Sequence, residues 1–173
     1  MNDLDEFDVH ILQELQKSSA ISNQDLASLV HVSPPTCLRR VKSLRDAGYI
    51  EREVAILSAE KLAPHTGYGL TALVEVTLDV QNAQSLDTFE HRVCKDPAVQ
   101  QCYRVSPGPD FMLVIFANDM PAYLALSQTL FSSDANVRNA RAFFSLKRAK
   151  FTTSIPLRQT DSLLISSAQV AKR

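Results

Sequence analysis

Residues 22–48 read SNQDLASLVHVSPPTCLRRVKSLRDAG, and this stretch decides the fold of the first third of the chain. Ser22 followed three residues later by Asp25 is a helix-start pattern, because both side chains can accept N–H groups that the first turn leaves unpaired. Leu26, Leu29 and Val30 then give a short helix one apolar side, ending near His31. Ser33-Pro34 opens the next helix: serine caps it, and proline at the first helical position sacrifices only an N–H that has no partner there. Leu38, Val41 and Leu44 are the expected buried stripe, and Gly48 supplies the left-handed residue that ends the helix. Two short helices joined by a tight turn form a helix-turn-helix, whose second helix enters the DNA major groove.

Upstream, Leu4, Phe7, Ile11, Leu12 and Leu15 recur at helical spacing, with Asp3, Asp5 and Glu6 where the helix dipole favours negative charge. The charge of the groove-entering helix is local. Ser33 to Arg45 holds Arg39, Arg40, Lys42 and Arg45 and no acid, in a chain whose formal net charge is −1. With Leu38, Val41 and Leu44 inward, the outward side carries Pro35, Thr36, Arg39, Arg40, Lys42, Ser43 and Arg45. Arg39 and Arg40 are candidates for bidentate contact with guanine O6/N7, and Lys42 and Arg45 for phosphate contact. Ser33 sits at the helix N-terminus, which suits phosphate, and Ser22, Asn23 and Gln24 start the preceding helix within reach of the backbone. The competing reading is a three-helix packing module with a solvated basic face.

The character changes after Ile50. Glu53 to Leu57 reads as a short strand, and Ser58 to Gly69 as a polar connection and domain boundary. Thr71 to Val80 alternates, with Ala72, Val74, Val76, Leu78 and Val80 on one face. Leu86, Phe89 and Val93 follow at helical spacing, Val99 to Val105 is a strand, and Pro107-Gly108-Pro109-Asp110 is a tight turn. Phe111 to Ala117 is continuously apolar, as a central strand is. Pro121 opens a helix with Tyr123, Leu126 and Leu130 on one side, and Val137 to Lys147 alternates again, with Ala140, Ala142, Phe144 and Leu146 together. The fold class is α+β, the second part having the βαββαβ order of a ferredoxin-like domain. The expected boundaries are 1–52, a hinge strand and linker at 53–69, the second domain at 70–157, and a tail at 158–173.

The turn Val105-Ser106-Pro107-Gly108-Pro109-Asp110 exposes backbone N–H groups able to hold a carboxylate, and Asp110 offers a counter-charge for an ammonium; together these describe a free amino acid. The same residues also make an ordinary hairpin turn. Ser145-Leu146-Lys147-Arg148-Ala149-Lys150 reads as a solvated edge, with an assembly surface or a DNA-wrapping contact as alternatives.

Leu12-Gln13-Glu14-Leu15-Gln16, Ile21-Ser22-Asn23, Leu26-Ala27, Val32-Ser33-Pro34 and Cys37-Leu38-Arg39-Arg40-Val41 resemble the Lrp/AsnC transcription regulators. The resemblance continues through Val105-Ser106 and Asp110-Phe111-Met112-Leu113 to Asp119-Met120-Pro121-Ala122-Tyr123, covering roughly 4–157. It implies a winged helix-turn-helix domain, a hinge strand and a ferredoxin-like regulatory domain through which subunits dimerise, often onward to octamers that wrap DNA. It also implies an amino-acid effector between subunits, with Asp110 matching the family aspartate, Phe111 the aromatic after it, and Met120, Phe143, Phe144 and Ser145 positions tied to effector response. Here the glycine stands one residue nearer to Asp110 and is flanked by prolines. The apolar candidates Phe111, Met112, Met120, Phe143 and Phe144 favour leucine or methionine, though core packing accounts for them equally well. Two recognition helices in a dimer call for a pseudo-palindromic operator. An architectural DNA-binding protein without effector is the alternative.

No catalytic constellation is visible: there is no GxSxG, P-loop or GxGxxG, and His10, His31, His65 and His91 lack metal spacing. Hence neither an enzyme nor a cofactor is expected. Cys37, Cys94 and Cys102 show no CxxC pair and read as free core or partly buried thiols of a cytoplasmic protein. No signal peptide or membrane span is expected.

Overall fold

The computed structural model describes residues 4–157, and the chain divides into two compact units. The first runs to Ala55 and resumes at Lys150; the second is Ile56–Ala149.

The first unit holds α1 (Glu6–Lys17), α2 (Asn23–Leu29) and α3 (Pro34–Asp46). At the start of α1, Asp5 accepts the Asp8 N–H at 2.9 Å and Asp8 accepts the Asp5 N–H at 3.4 Å. Ser22 caps α2 through the Asp25 N–H at 3.1 Å. His31 bridges α2 and α3 with φ +57°, a left-handed conformation that histidine tolerates better than most side chains. Gly48, at φ +80°, closes α3 as expected, with the Tyr49 N–H reaching back to the Leu44 carbonyl.

The core comprises Ile11, Leu12, Leu26, Ala27, Val30, Cys37, Val41 and Leu44. Two expected inward residues are therefore misplaced. Leu29 is exposed, and Leu38 is 59% exposed while Cys37 is fully buried. On a 3.6-residue period, positions 37, 41 and 44 (i, i+4, i+7) keep to one face, whereas 38, 41 and 44 drift around it.

The connection differs too. Residues 53–57 pair with no strand, and Val54, Ile56 and Leu57 are exposed. In place of a structureless linker stands α4 (Ala59–Thr66), capped by Ser58 on the Lys61 N–H and ended by Gly67 at φ +78°. Pro64 reads as a loop marker, but it falls in the last turn of this short helix, where it removes a single backbone hydrogen bond.

The second unit is β1 (Leu70–Leu78), α5 (Ala83–Val93), β2 (Val99–Arg104), β3 (Phe111–Ala117), α6 (Met120–Ser127) continued by a π-helical turn (Gln128–Ser132), and β4 (Val137–Phe144). The sheet order is β2-β3-β1-β4, every neighbour antiparallel, so each helical crossover skips one strand. Ala72, Val74, Val76 and Leu78 of β1 and Phe111, Leu113, Ile115 and Ala117 of β3 meet Phe89, Val93, Tyr123, Leu130 and Phe131 in one core. Val80 lies past a register shift at Thr77/Leu78 and is exposed. β4 stops at Phe144 and Leu146 is fully exposed. The Ser145 N–H still reaches the Thr71 carbonyl at 2.9 Å, but Gly69 (φ +65°) turns the chain before β1 begins, so the ladder between β1 and β4 ends there.

Gly69 also lies against an aromatic ring. A Cβ there would stand 2.4 and 2.7 Å from Phe116 ring carbons, in addition to the left-handed φ. Gly69→Ala is expected to destabilise the second unit by about 1–3 kcal/mol, read as a lower midpoint in thermal unfolding.

Residues 150–157 cluster with the first unit, whereas the expected second domain runs to 157. The Gln16 side chain donates to the Ile155 carbonyl at 3.1 Å and accepts the Ile155 N–H, and Leu157 packs on the helix core. The tail expected at 158–173 lies outside the described residues. Among those described, no helix is long and apolar enough to cross a membrane.

Candidate DNA interface and effector turn

Once Cys37, Val41 and Leu44 are buried, the outward stripe of α3 is Pro35, Leu38, Arg39, Lys42 and Arg45, all exposed. Thr36 is half-buried, its hydroxyl 2.8 Å from that of Ser33, which stands at the N-cap but, against expectation, bonds no helix N–H with its side chain. Arg39 and Lys42 enter no ion pair among the described residues. Arg45 pairs with Glu53, and both side chains are largely exposed, so the pair is weak and exchangeable.

Arg40 lies elsewhere. Its Nη1 donates to Asp5 at 2.7 Å and to Asp8 at 2.8 Å, and its guanidinium stands 5.4 Å from the Phe7 ring centroid. Its Nε is buried without a partner. Arg40 thus faces α1 and not the outward stripe, against the expectation of a guanine contact: residue 40 is 100° around the helix from residue 39. The acids that cap α1 are the ones that hold α3. Burial alone would raise the Asp5 carboxyl, but the Asp8 N–H, the Arg40 hydrogen bond and charge, and the Phe7 N–H outweigh it and hold it below its ordinary value.

The start of α2 is committed as well. Ser22 caps the helix, and Asn23 donates to the Pro34 carbonyl at 2.9 Å, tying α2 to the first turn of α3. Gln24 is exposed. Sequence reading missed Leu38 as an outward apolar residue; the signal was available, since cysteine is among the residues most often buried.

In the second unit the turn between β2 and β3 is closed by the Val105 N–H on the Asp110 carbonyl at 3.0 Å. Ser106, Pro107 and Gly108 are exposed, and Gly108 has φ +117°. The Asp110 carboxylate accepts the Leu78 N–H at 2.7 Å and the Gln81 amide at 3.2 Å. It braces the turn on the irregular end of β1 and is not an idle counter-charge. Phe111 is fully buried against Phe89, with ring centroids 4.8 Å apart, so it forms core and not a pocket wall.

The other expected effector residues lie at the far end of β1. Phe143 pairs with Leu73 and Phe144 with Ala72, the Ser145 N–H reaches Thr71, and Met120 follows the strand whose Ala117 pairs with Leu70. Asp110, by contrast, bonds at Val76 and Leu78. At about 3.3 Å per residue the two groups are roughly 10–23 Å apart along the strand. Phe143 faces the side of the sheet that α5 and α6 leave uncovered, while Phe144 packs edge-on against Tyr123. One protomer therefore does not gather these residues into one pocket. The uncovered face carries Leu73, Tyr103 and Phe143, all exposed, beside Met112, Val114 and Phe116.

Residues 4–51 match the winged helix-turn-helix DNA-binding family, and residues 71–155 the Lrp/AsnC ligand binding domain. An HTH-type transcriptional regulator of Haemophilus influenzae is 33% identical over 91% of this chain and 91% of its own. The leucine-responsive regulatory protein of Rhizobium meliloti is 34% identical over 86% of this chain and 92% of its own. Among solved structures, a transcriptional regulator of Neisseria meningitidis in complex with L-methionine superposes with a TM-score of 0.78, at 34% identity, covering 89% of this chain and 97% of that one. A winged helix-turn-helix unit joined to this antiparallel ligand-binding sheet makes the chain a member of the Lrp/AsnC family of DNA-binding transcriptional regulators.

Proposed function

We propose that the chain is a sequence-specific, homo-oligomeric regulator that inserts α3 into the major groove of a pseudo-palindromic operator and responds to a small amino acid held between copies. The outward stripe of α3 carries this reading. Arg39 is the base reader, able to bond guanine in bidentate fashion, and Leu38 beside it suits a thymine methyl. Lys42 and Arg45 take phosphates; Glu53 releases Arg45 at little cost because their pair is exposed. Gln24, Ser33, Pro35 and Thr36 border the backbone, and Ser22 and Asn23 set the angle between the helices.

Arg39→Ala is expected to weaken operator binding by about 1–3 kcal/mol and to relax the preference at one base position, with little change in affinity for unrelated DNA. A gel shift with operator and scrambled duplexes checks this; unchanged operator affinity sinks the groove assignment.

The separation of the effector residues within a protomer supports a site built by more than one copy. The uncovered sheet face, where Leu73, Tyr103 and Phe143 stand beside the Glu75–Arg141 ion pair, supports dimers through the second unit, and octamers extend the same logic. Ser106, Pro107 and Gly108, with the Val105 and Asp110 ends of the turn, meet Met120, Phe143 and Ser145 of another copy in this arrangement. The ligand class follows from the relatives: one is named leucine-responsive and another was solved with L-methionine. A thermal-shift panel of the common amino acids is expected to show stabilisation by leucine or methionine, since a ligand of the folded state raises its apparent stability. A flat panel favours the second reading, an architectural regulator without effector. That reading draws on one observation: the Asp110 carboxylate already accepts two N–H groups.

A further inference from the structure

Across the packing of α5 on β2, two thiols stand together. Arg104 on β2 donates to Asp87 at 2.7 Å and to Glu90 at 2.7 and 3.1 Å on α5, which fixes how helix and strand lie. From Glu90, four residues along α5 advance about 6 Å and reach Cys94. From Arg104, two residues back along β2 advance nearly the same distance, about 6.6 Å, and reach Cys102 on the same face of the strand. The register thus sets Cys94 over Cys102, near enough for the Cys94 sulfur to act on the Cys102 thiol. Cys94 caps α5 and is exposed; Cys102 is half-buried against the sheet core; both are free.

We propose that Cys94 and Cys102 form an oxidation site: a hydroperoxide converts the pair into an intramolecular disulfide joining the end of α5 to β2. Cys94, the accessible sulfur, attacks the peroxide. An S–O bond forms, the O–O bond breaks, and the leaving oxygen departs as water or an alcohol. Cys102 then attacks the sulfenic sulfur; the S–S bond forms, the S–O bond breaks, and the Cys102 proton leaves with the hydroxyl as water. Two thiols are oxidised and one peroxide is reduced, with no other reactant.

The division of labour follows from the surroundings. Burial first, then the neighbouring Cys94 sulfur, then Glu90 push the Cys102 thiol up to about 12, with Arg104 opposing. Cys102 therefore keeps its proton, and Cys94 is the exposed sulfur that a peroxide reaches first. Cys37, fully buried in the helix core and likewise pushed up by burial, is an internal control. The disulfide closes a short loop directly before the turn at 105–110, so oxidation pins the strand that carries that turn.

The test is intact-mass and peptide analysis of the full chain after stoichiometric hydrogen peroxide. The expected product has lost two hydrogen atoms, and trypsin without reductant releases Val93–Lys95 joined to Asp96–Arg104. Cys94→Ser abolishes the product and leaves Cys102 reduced. Cys102→Ser leaves a Cys94 sulfenic acid that a 1,3-diketone captures. Recovery of Cys94 as sulfinic acid, or as a link between two chains, with Cys102 still open to alkylation in the native sequence, overturns the proposal. So does a disulfide that involves Cys37.

Discussion

Arg40→Ala is expected to lower the stability of the first unit and to weaken operator binding without removing any contact to DNA. The substitution deletes two charge-assisted hydrogen bonds and leaves Asp5 and Asp8 facing each other across the start of α1. Because the three side chains are only partly buried, the expected cost is about 1–3 kcal/mol, below that of breaking a fully buried pair. For a unit this small that is a fall of several degrees in melting temperature, about 4–8 °C per kcal/mol. Binding weakens because α3 loses the brace that sets its angle against α1. The salt dependence distinguishes this from a lost contact: the slope of log K against log salt stays at the native value in Arg40→Ala, whereas Lys42→Ala lowers it by about 0.9 per subunit. Arg40→Lys restores charge but not the planar fork that reaches two carboxylates, and recovers only part of the loss. A native melting temperature with a reduced slope would show that Arg40 touches phosphate after all. Acid behaviour gives a further check. A carboxylate held low in the folded state contributes stability above its unfolded pKa and loses it as pH falls through the folded value. The gap between native chain and Arg40→Ala is full at neutral pH and narrows below about pH 4.

Phe111→Ala is the second large effect, expected to cost the second unit about 3–5 kcal/mol. The ring is fully buried, stacked on Phe89, at the end of β3 where Asp110 braces the turn. Losing it opens a cavity among Phe89, Val76 and Leu113 that a sheet anchored on both sides cannot collapse to fill. Met120→Ala is the matched control. Met120 is 42% exposed, and its truncation is expected to shift stability by no more than about 0.5 kcal/mol. Differential unfolding of the two variants checks the contrast. If Met120→Ala abolishes amino-acid stabilisation while the fold is unchanged, that residue lies at the ligand; if Phe111→Ala leaves the fold unchanged, the core assignment fails.

The sequence was most legible where one short-range signal acts alone. Ser33-Pro34 marked the start of α3, Gly48 its end, and the alternation from Ala72 to Leu78 the buried face of β1. Legibility failed where long-range partners decide. Arg40 and Asp5 are 35 residues apart, and nothing local to Arg39-Arg40 says which arginine turns back to α1. Asp110 carries the right charge for an ammonium, but Leu78, 32 residues away, occupies it with a backbone N–H. The alternation of β4 continues in the sequence to Leu146 while the strand does not, because the end of a strand is set by its neighbour. Periodicity alone cannot report that.

The return of residues 150–157 to the helices at Gln16 and Leu157 bears on the order of events during synthesis. The first unit is written at the two ends of the described chain, with the whole second unit between them. On the ribosome α1, α2 and α3 emerge early, but the segment that packs against them through Ile155 and Leu157 is made only after β4. The buried helix core, Ile11 to Leu44, is complete before the second unit is made, and the contact across 139 residues is added afterwards. A fragment ending at the first boundary would keep that core and lack only the late contacts at Gln16 and Leu157.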